Sequence, residues 1–338
     1  MNSLITAIAN LMNPFAYIIE DEPAPDRLSN LGTFGTNPGS LRALTYIPKD
    51  LPAGAPLVIV LHGCKQTAEH YDNGSGWSDL ADRHGFALLY PEQHCLNNLL
   101  LGFNWFRPRD NTRGSGEPLS IMHMVTQVAR DHAINRGRIF ITGLSAGGAM
   151  TSVMLATYPE LFAGGAIIAG LPYGCADTTQ AAFRSMQGRF AGRTPRQLAL
   201  RLRNASGHNG PWPKISIWHG GNDGTVHPSN ASAILKQWLK LHKLPPAPSS
   251  IHIVDGYPRR VWKSADGHAV LEEFRITGMG HGTPLKTGGP NGCGESGDYM
   301  LEVNISSTRH IAAFWGLTQP GPAGRPQKAR RQVADAPA

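Results

Sequence analysis

Apolar residues in this chain fall in short runs rather than in one repeating stripe. Residues 57–61 read LVIVL, 86–90 FALLY, 138–142 RIFIT, 165–169 GAIIA and 215–218 ISIW. Such runs, rich in β-branched residues and leucine, suit strands covered on both faces of a parallel sheet. A further strand-like segment, EFRIT at 273–277, leads into a glycine-rich loop, and His252 and His268 lie in or beside a hairpin pattern. Between the runs, apolar positions recur three and four apart at 77–84, 121–133, 146–158 and 231–242, which predicts amphipathic helices. This alternation predicts an α/β fold, with a mostly parallel central sheet and helices on both faces. The polar, Arg-rich residues 178–213 interrupt it and read as an insertion between strands.

Composition narrows the picture. The chain has 338 residues, 41% of them hydrophobic and only 16% charged, against roughly 25% charged in average soluble proteins. Its 39 glycines and 26 prolines imply many turns, as in a compact, loop-rich enzyme. No internal linker marks a second domain. The expected organisation is a lead-in with an amphipathic helix at 1–37, a catalytic domain at 38–318 and a disordered, basic, Pro-rich tail at 319–338. Arg325, Lys328, Arg330 and Arg331 in that tail supply more than half of the net charge of +7, so the charge does not argue for nucleic-acid binding. The N-terminal apolar run lacks a preceding Lys or Arg and is followed by Glu20, Asp21 and Glu22, unlike a signal peptide. No run approaches the roughly 18 apolar residues of a membrane span. Cys64, Cys95, Cys175 and Cys293 show no C-x-x-C spacing, so no metal site is expected. Two disulfides in any of three connectivities, or four free thiols, satisfy the count.

Candidate chemistry centres on Gly143-Leu144-Ser145-Ala146-Gly147, a G-x-S-x-G that follows a strand pattern and opens a helical one. That is the context of a nucleophile elbow, where small residues must flank a sharply turned serine. A phosphate-cradling loop would need a different glycine spacing. A serine hydroxyl needs a base, and an α/β-hydrolase supplies acid and then histidine further along the chain. His281, in Gly278-Met279-Gly280-His281-Gly282 after the last strand pattern, is the expected base. Asp223, the carboxylate of the loop GGNDGTVH after residues 215–218, is the expected acid, with Asp255 and Asp266 as alternatives. The amides of Ala146 and Cys64 are expected to form the oxyanion hole, and His62 is expected to brace the Cys64 loop. Trp105, Phe106, Trp218 and Trp262 are candidates for lining an apolar acyl site, with core packing as the competing explanation.

Residues 61–93, the NWF at 104–106, and ITGLSAGGAMTSVMLATYPELFAGGAIIAGLPYGCA resemble the poly(3-hydroxybutyrate) depolymerase family of esterases. IWHGGNDGTVHPSNA, GMGHGTPL and ISSTRHIAAFWGL are similar to the same family, so the likeness extends over residues 41–317. The resemblance implies an α/β-hydrolase fold, serine ester hydrolysis of 3-hydroxy acid esters, no cofactor and an extracellular or periplasmic setting. It carries the nucleophile to Ser145, the acid to Asp223 and the base to His281. Relatives include feruloyl and acetylxylan esterases, which makes a carbohydrate esterase the second reading; an inactive hydrolase-like binding protein is the third. Two departures qualify the likeness. Secreted depolymerases add a polymer-adsorbing domain, whereas a short tail follows Leu317 here, so oligomers or short-chain esters are expected over crystalline polymer. Family members carry a cysteine just before NWF, where Gly102-Phe103 stand here, so Cys64–Cys95 and Cys175–Cys293 are the pairings the resemblance suggests.

Overall fold

A computed structural model describes residues 27–318 apart from residue 191. The expected N-terminal helix and the 319–338 tail lie outside the described residues. Twelve strands and eight α-helices are described. The first two strands are β1 (Ser29–Asn30) and β2 (Arg42–Tyr46), followed by β3 (Leu57–Leu61), α1 (Ala68–Ser75), α2 (Trp77–His84) and β4 (Ala87–Glu92). Next come α3 (Gly116–Asp131), β5 (Ile139–Leu144), α4 (Ala146–Thr157) and β6 (Gly164–Ile168). The polar insertion holds α5 (Thr179–Met186) and α6 (Pro195–Asn204), before β7 (Lys214–Gly220) and α7 (Ser229–Leu241). Strands β8 (Ser250–Val254), β9 (Tyr257–Lys263), β10 (Ala269–Ile276), β11 (Thr283–Leu285) and β12 (Met300–Glu302) precede α8 (Ser307–Trp315).

Ten strands form one sheet in the order β1-β2-β4-β3-β5-β6-β7-β10-β9-β8. The six from β4 to β10 run parallel; β1, β2, β9 and β8 join antiparallel at the two ends. Five of these parallel strands are the ones the continuous apolar runs predict, and the sixth, β10, ends within the strand-like EFRIT segment. Side chains alternate across the sheet. Ile59, Ile141, Ile217 and Leu271 pack against α3, α4 and α7 through Val125, Met150 and Trp238. Val58, Phe140, Trp218 and Phe274 face the opposite way, onto Trp77 of α2 and Ile311 and Trp315 of α8. This is the α/β-hydrolase arrangement.

Two sequence expectations shift. The sheet begins inside the segment read as a lead-in, because β1 pairs with β2 through Ser29 and Asn30. The polar insertion is not purely solvent-facing: its Ala182 and Leu198 join Leu171, Cys175 and Val226 of the flanking segments in a small core against Ala149 of α4.

Trp218 is fully buried and stacks on Phe274 with ring centroids 3.8 Å apart. Trp218→Ala should lower the unfolding free energy by about 3–5 kcal/mol in urea titrations. Leu96→Ser, at a side chain that is 89% exposed, should stay within about 0.5 kcal/mol of the parent.

Candidate active site

Ligands of open α/β sheets bind outside the carboxyl ends of the strands, and four such ends converge here. Strand β5 delivers Ser145, β7 the Asp223 loop, β10 the His281 loop, and β3 the loop with Cys64.

Ser145 sits between β5 and α4 with φ 56° and ψ −115°, a conformation that side chains other than glycine rarely adopt. Two bonds hold it there: its amide donates to Ile168 O at 2.9 Å, and its carbonyl accepts from Ala149 N at 2.8 Å. The flanking glycine is sterically required, because a Cβ on Gly147 would lie 2.3 Å from Leu61 O. The Ser145 hydroxyl does not cap α4. It lies 2.9 Å from His281 Nε2.

The His281 and Asp223 loops are laced together by backbone. Gly221 N donates to Ile276 O at 2.8 Å, and Asn222 N to Met279 O at 2.9 Å. They pass so closely that a Cβ on Gly220 would stand 2.2 Å from Gly280 O. Across this seam His281 Nδ1 meets Asp223 Oδ2 at 2.8 Å, with the carboxylate side chain fully buried. A carboxylate accepts only, so Nδ1 carries the proton and Nε2 is left to accept from the Ser145 hydroxyl. Burial alone would raise the Asp223 pKa. The two imidazoles beside the carboxylate, His219 at 3.3 Å and the hydrogen-bonded His281, outweigh burial and hold the carboxyl well below its ordinary 3.8.

On the β3 side, His62 is buried and braces the loop. Its Nδ1 lies 2.7 Å from Gly63 O, and its Nε2 accepts from Gln93 N at 3.1 Å. The amides on either side of Cys64 are committed: Gly63 N donates to Gln66 Oε1 at 2.8 Å, and Lys65 N to Leu100 O at 2.8 Å. A narrow cleft opens over Ser145 and His281, walled by Leu144, Met186, Thr225, Tyr299 and the loop from Gly63 to Gln66.

The structure therefore brings together Ser145, His281, Asp223 and the Cys64 loop, with Ala146 opening α4 beside them. The alternative carboxylates are engaged elsewhere, Asp255 with His310 Nε2 at 3.0 Å and Asp266 with Ser264. Two aromatic expectations are corrected. Trp218 projects to the Phe274 side of the sheet, and Trp262 is buried on β9, its Nε1 donating to Pro246 O. Both are core. Trp105 and Phe106 pack edge to face, centroids 5.3 Å apart, against the insertion core beside the cleft rather than among the residues that wall it. Met186 and Tyr299, which do wall it, carry no motif in the sequence. Their placement comes from α5 of the insertion and from the loop before β12.

All four cysteines are free, so neither suggested disulfide is formed. The Cys64 thiol is turned to position 102, where a Cβ on Gly102 would approach its Sγ to 2.5 Å, while Cys95 is exposed on the preceding turn. Cys175 lies in the insertion core, and Cys293 in the core on the Trp218 side of the sheet, 3.3 Å from Ser306 Oγ. Burial pushes the Cys64 thiol up to about 11.

Comparison with known proteins places this geometry. A family model described as esterase PHB depolymerase matches residues 42–250. Poly(3-hydroxyalkanoate) depolymerase C of Paucimonas lemoignei is 47% identical over 292 residues, 86% of this chain and 70% of that protein. An acetylxylan esterase of Coprinopsis cinerea is 34% identical over 272 residues, 78% of this chain and 72% of that protein. Among solved structures, an acetyl xylan esterase from Aspergillus awamori matches with a TM-score of 0.72 at 25% identity, over 86% of this chain and 99% of that one. No helix among the described residues is long and apolar enough to cross a membrane. By family model and by identity, the chain belongs to the PHB depolymerase family of esterases and is a carboxylic ester hydrolase.

Proposed function

We propose that the chain hydrolyses esters of 3-hydroxy acids, of the poly- or oligo-3-hydroxybutyrate type, through an acyl-enzyme on Ser145. The observation that carries this reading is the continuous relay from Ser145 Oγ to His281 Nε2 at 2.9 Å and from His281 Nδ1 to Asp223 Oδ2 at 2.8 Å. His281 takes the hydroxyl proton as Ser145 Oγ attacks the ester carbonyl, and Asp223 holds the imidazole and balances the imidazolium. The oxyanion is received by the amide of Ala146, first in α4, and by that of Cys64, whose neighbouring amides are already committed. Each such donor is worth about 3–4 kcal/mol of barrier. The positive end of the α4 dipole adds to the same site. His281 returns the proton to the departing alcohol. It then activates the water that releases the acyl group.

Support for the 3-hydroxy acid class is the 47% identity to a poly(3-hydroxyalkanoate) depolymerase, against 34% to an acetylxylan esterase. The fold match to an acetyl xylan esterase keeps carbohydrate esters as the second reading. Faster turnover of 3-hydroxybutyrate trimer than of methyl ferulate or acetylated xylan is expected; the reverse order would favour the second reading.

Ser145→Ala should reduce hydrolysis of p-nitrophenyl butyrate by at least about a thousandfold and abolish fluorophosphonate labelling, with the fold intact. Retained turnover would refute the nucleophile. The depressed Asp223 pKa also has a stability consequence. Its contribution is present above the unfolded value of 3.8 and is lost as pH falls through the lower folded value. Asp223→Asn should therefore unfold at lower urea than the parent at about pH 7, and the gap should narrow towards about pH 3. A gap that is constant with pH would show that the carboxylate is not held in its charged form.

A further inference from the structure

Asp223 is held by more than the histidine that faces Ser145. A carboxylate offers about four acceptor positions, two on each oxygen. Oδ1 takes two backbone amides, Thr225 N at 2.9 Å and Val226 N at 2.8 Å. Oδ2 takes His281 Nδ1 at 2.8 Å and has a second imidazole beside it, His219 Nε2 at 3.3 Å. His219 is the penultimate residue of β7, is 1% exposed, and its Nε2 also lies 2.8 Å from Val226 O.

Both neighbours of that nitrogen are acceptors, which fixes the proton on Nε2. His219 Nδ1 is buried and has no hydrogen-bond partner among the described residues, as suits the unprotonated nitrogen. The Nε2–H donates to Val226 O, and Asp223 Oδ2 lies 3.3 Å from the same nitrogen, so the imidazole stands beside both the carboxylate and the carbonyl three residues on. Two nearby basic side chains are engaged elsewhere. Arg275, the register neighbour of His219 on β10, binds Glu273, Pro228 O and Ser232, and His227 binds Ser229. Beside His281, His219 is the second imidazole next to Oδ2.

We propose that His219 is a positioning residue for ester hydrolysis: its Nε2–H fixes the rotation of the Asp223 carboxylate, and through it the orientation of the His281 imidazole towards Ser145. This rests on the Ser145–His281–Asp223 reading above. Without the second donor, Oδ2 is held only by the imidazole it has to orient, which changes charge during turnover. The ester is untouched by His219, so the effect falls on kcat rather than on KM.

The experiment compares His219→Met, which keeps the volume and withdraws the donor, with His219→Gln, whose amide nitrogen reaches the Nε2 position. On p-nitrophenyl butyrate, H219M should lose at least about tenfold in kcat with KM unchanged, and H219Q should recover to within about threefold of the parent. In an Asp223→Ala background, H219M should cause no further loss, because both changes act through one carboxylate. A parental kcat in H219M, equal losses in Met and Gln, or an additive loss on Asp223→Ala would overturn the proposal. Should H219M not fold, His219→Asn takes its place, since its amide stops short of Oδ2. Failure of the triad reading is separable: it would appear as retained activity in Ser145→Ala and His281→Ala, whatever the His219 variants do.

Discussion

Two short backbone hydrogen bonds, from Gly221 to Ile276 and from Asn222 to Met279, join the loops that leave β7 and β10. Neither loop has regular structure of its own at this point. Their mutual registry sets where a carboxylate and an imidazole, 58 residues apart in sequence, come to rest. The seam closes because Gly220 and Gly280 bring main chain against main chain at a distance that admits no Cβ. The parallel pairing of β7 with β10 continues to Gly220 opposite Ile276, so the loops start from adjacent, fixed positions. Paired charges on β10 hold that strand in turn: Glu272 binds Arg259, and Glu273 binds Arg260 and Arg275.

A second buried polar network steadies the opposite wall of the site. Glu117, fully buried at the start of α3, accepts from Gln93 Nε2 at 2.7 Å and from Asn104 N and Nδ2 at 2.9 and 2.7 Å. Burial, reinforced by the nearby Asp110, pushes its carboxyl up to about 8 against the pull of those donors. Gln93 Nε2 also holds Gly102 O, and Gln93 N holds His62 Nε2. The result is a continuous chain of contacts from Glu117 through Gln93 to the loop that carries Cys64. Asn104, the first residue of the NWF motif, thus serves as scaffold for the loop and not as a ligand of the cleft.

Five of the six parallel strands could be read from the chain because burial on both faces demands uninterrupted apolar runs, and residues such as 57–61 have little alternative to that environment. The sixth, β10, carries Glu272, Glu273 and Arg275 and gave only a strand-like signal. Strands β8 and β9, at one end of the sheet, carry a mixed pattern, with Ile251 and Ile253 of β8 exposed, and gave only a hairpin signal. Helix α1, AEHYDNGS, has too few apolar positions to announce itself and is fixed by its Thr67 cap and by Tyr71 packing beneath it. The elbow around Ser145 was legible because a strained turn restricts its neighbours to small residues. The order of serine, acid and histidine along the chain was legible for a related reason, since each follows a recognisable strand.

What the sequence could not settle was direction. Trp218 and His219 are neighbours, yet alternation sends one into the core beside Phe274 and the other onto Asp223. A run of letters does not say which face of the sheet will be which. Walls contributed by the insertion and by the segment before β12, through Met186 and Tyr299, depend on how distant loops fold over the strand ends. The sequence by itself determined the parallel sheet, the turn that presents the serine and the types of its partners, because these are local demands of burial and backbone geometry. Only the tertiary structure decided which imidazoles meet the carboxylate, which aromatics stay in the core and which thiols remain unpaired, because those outcomes depend on distances between segments far apart in the chain.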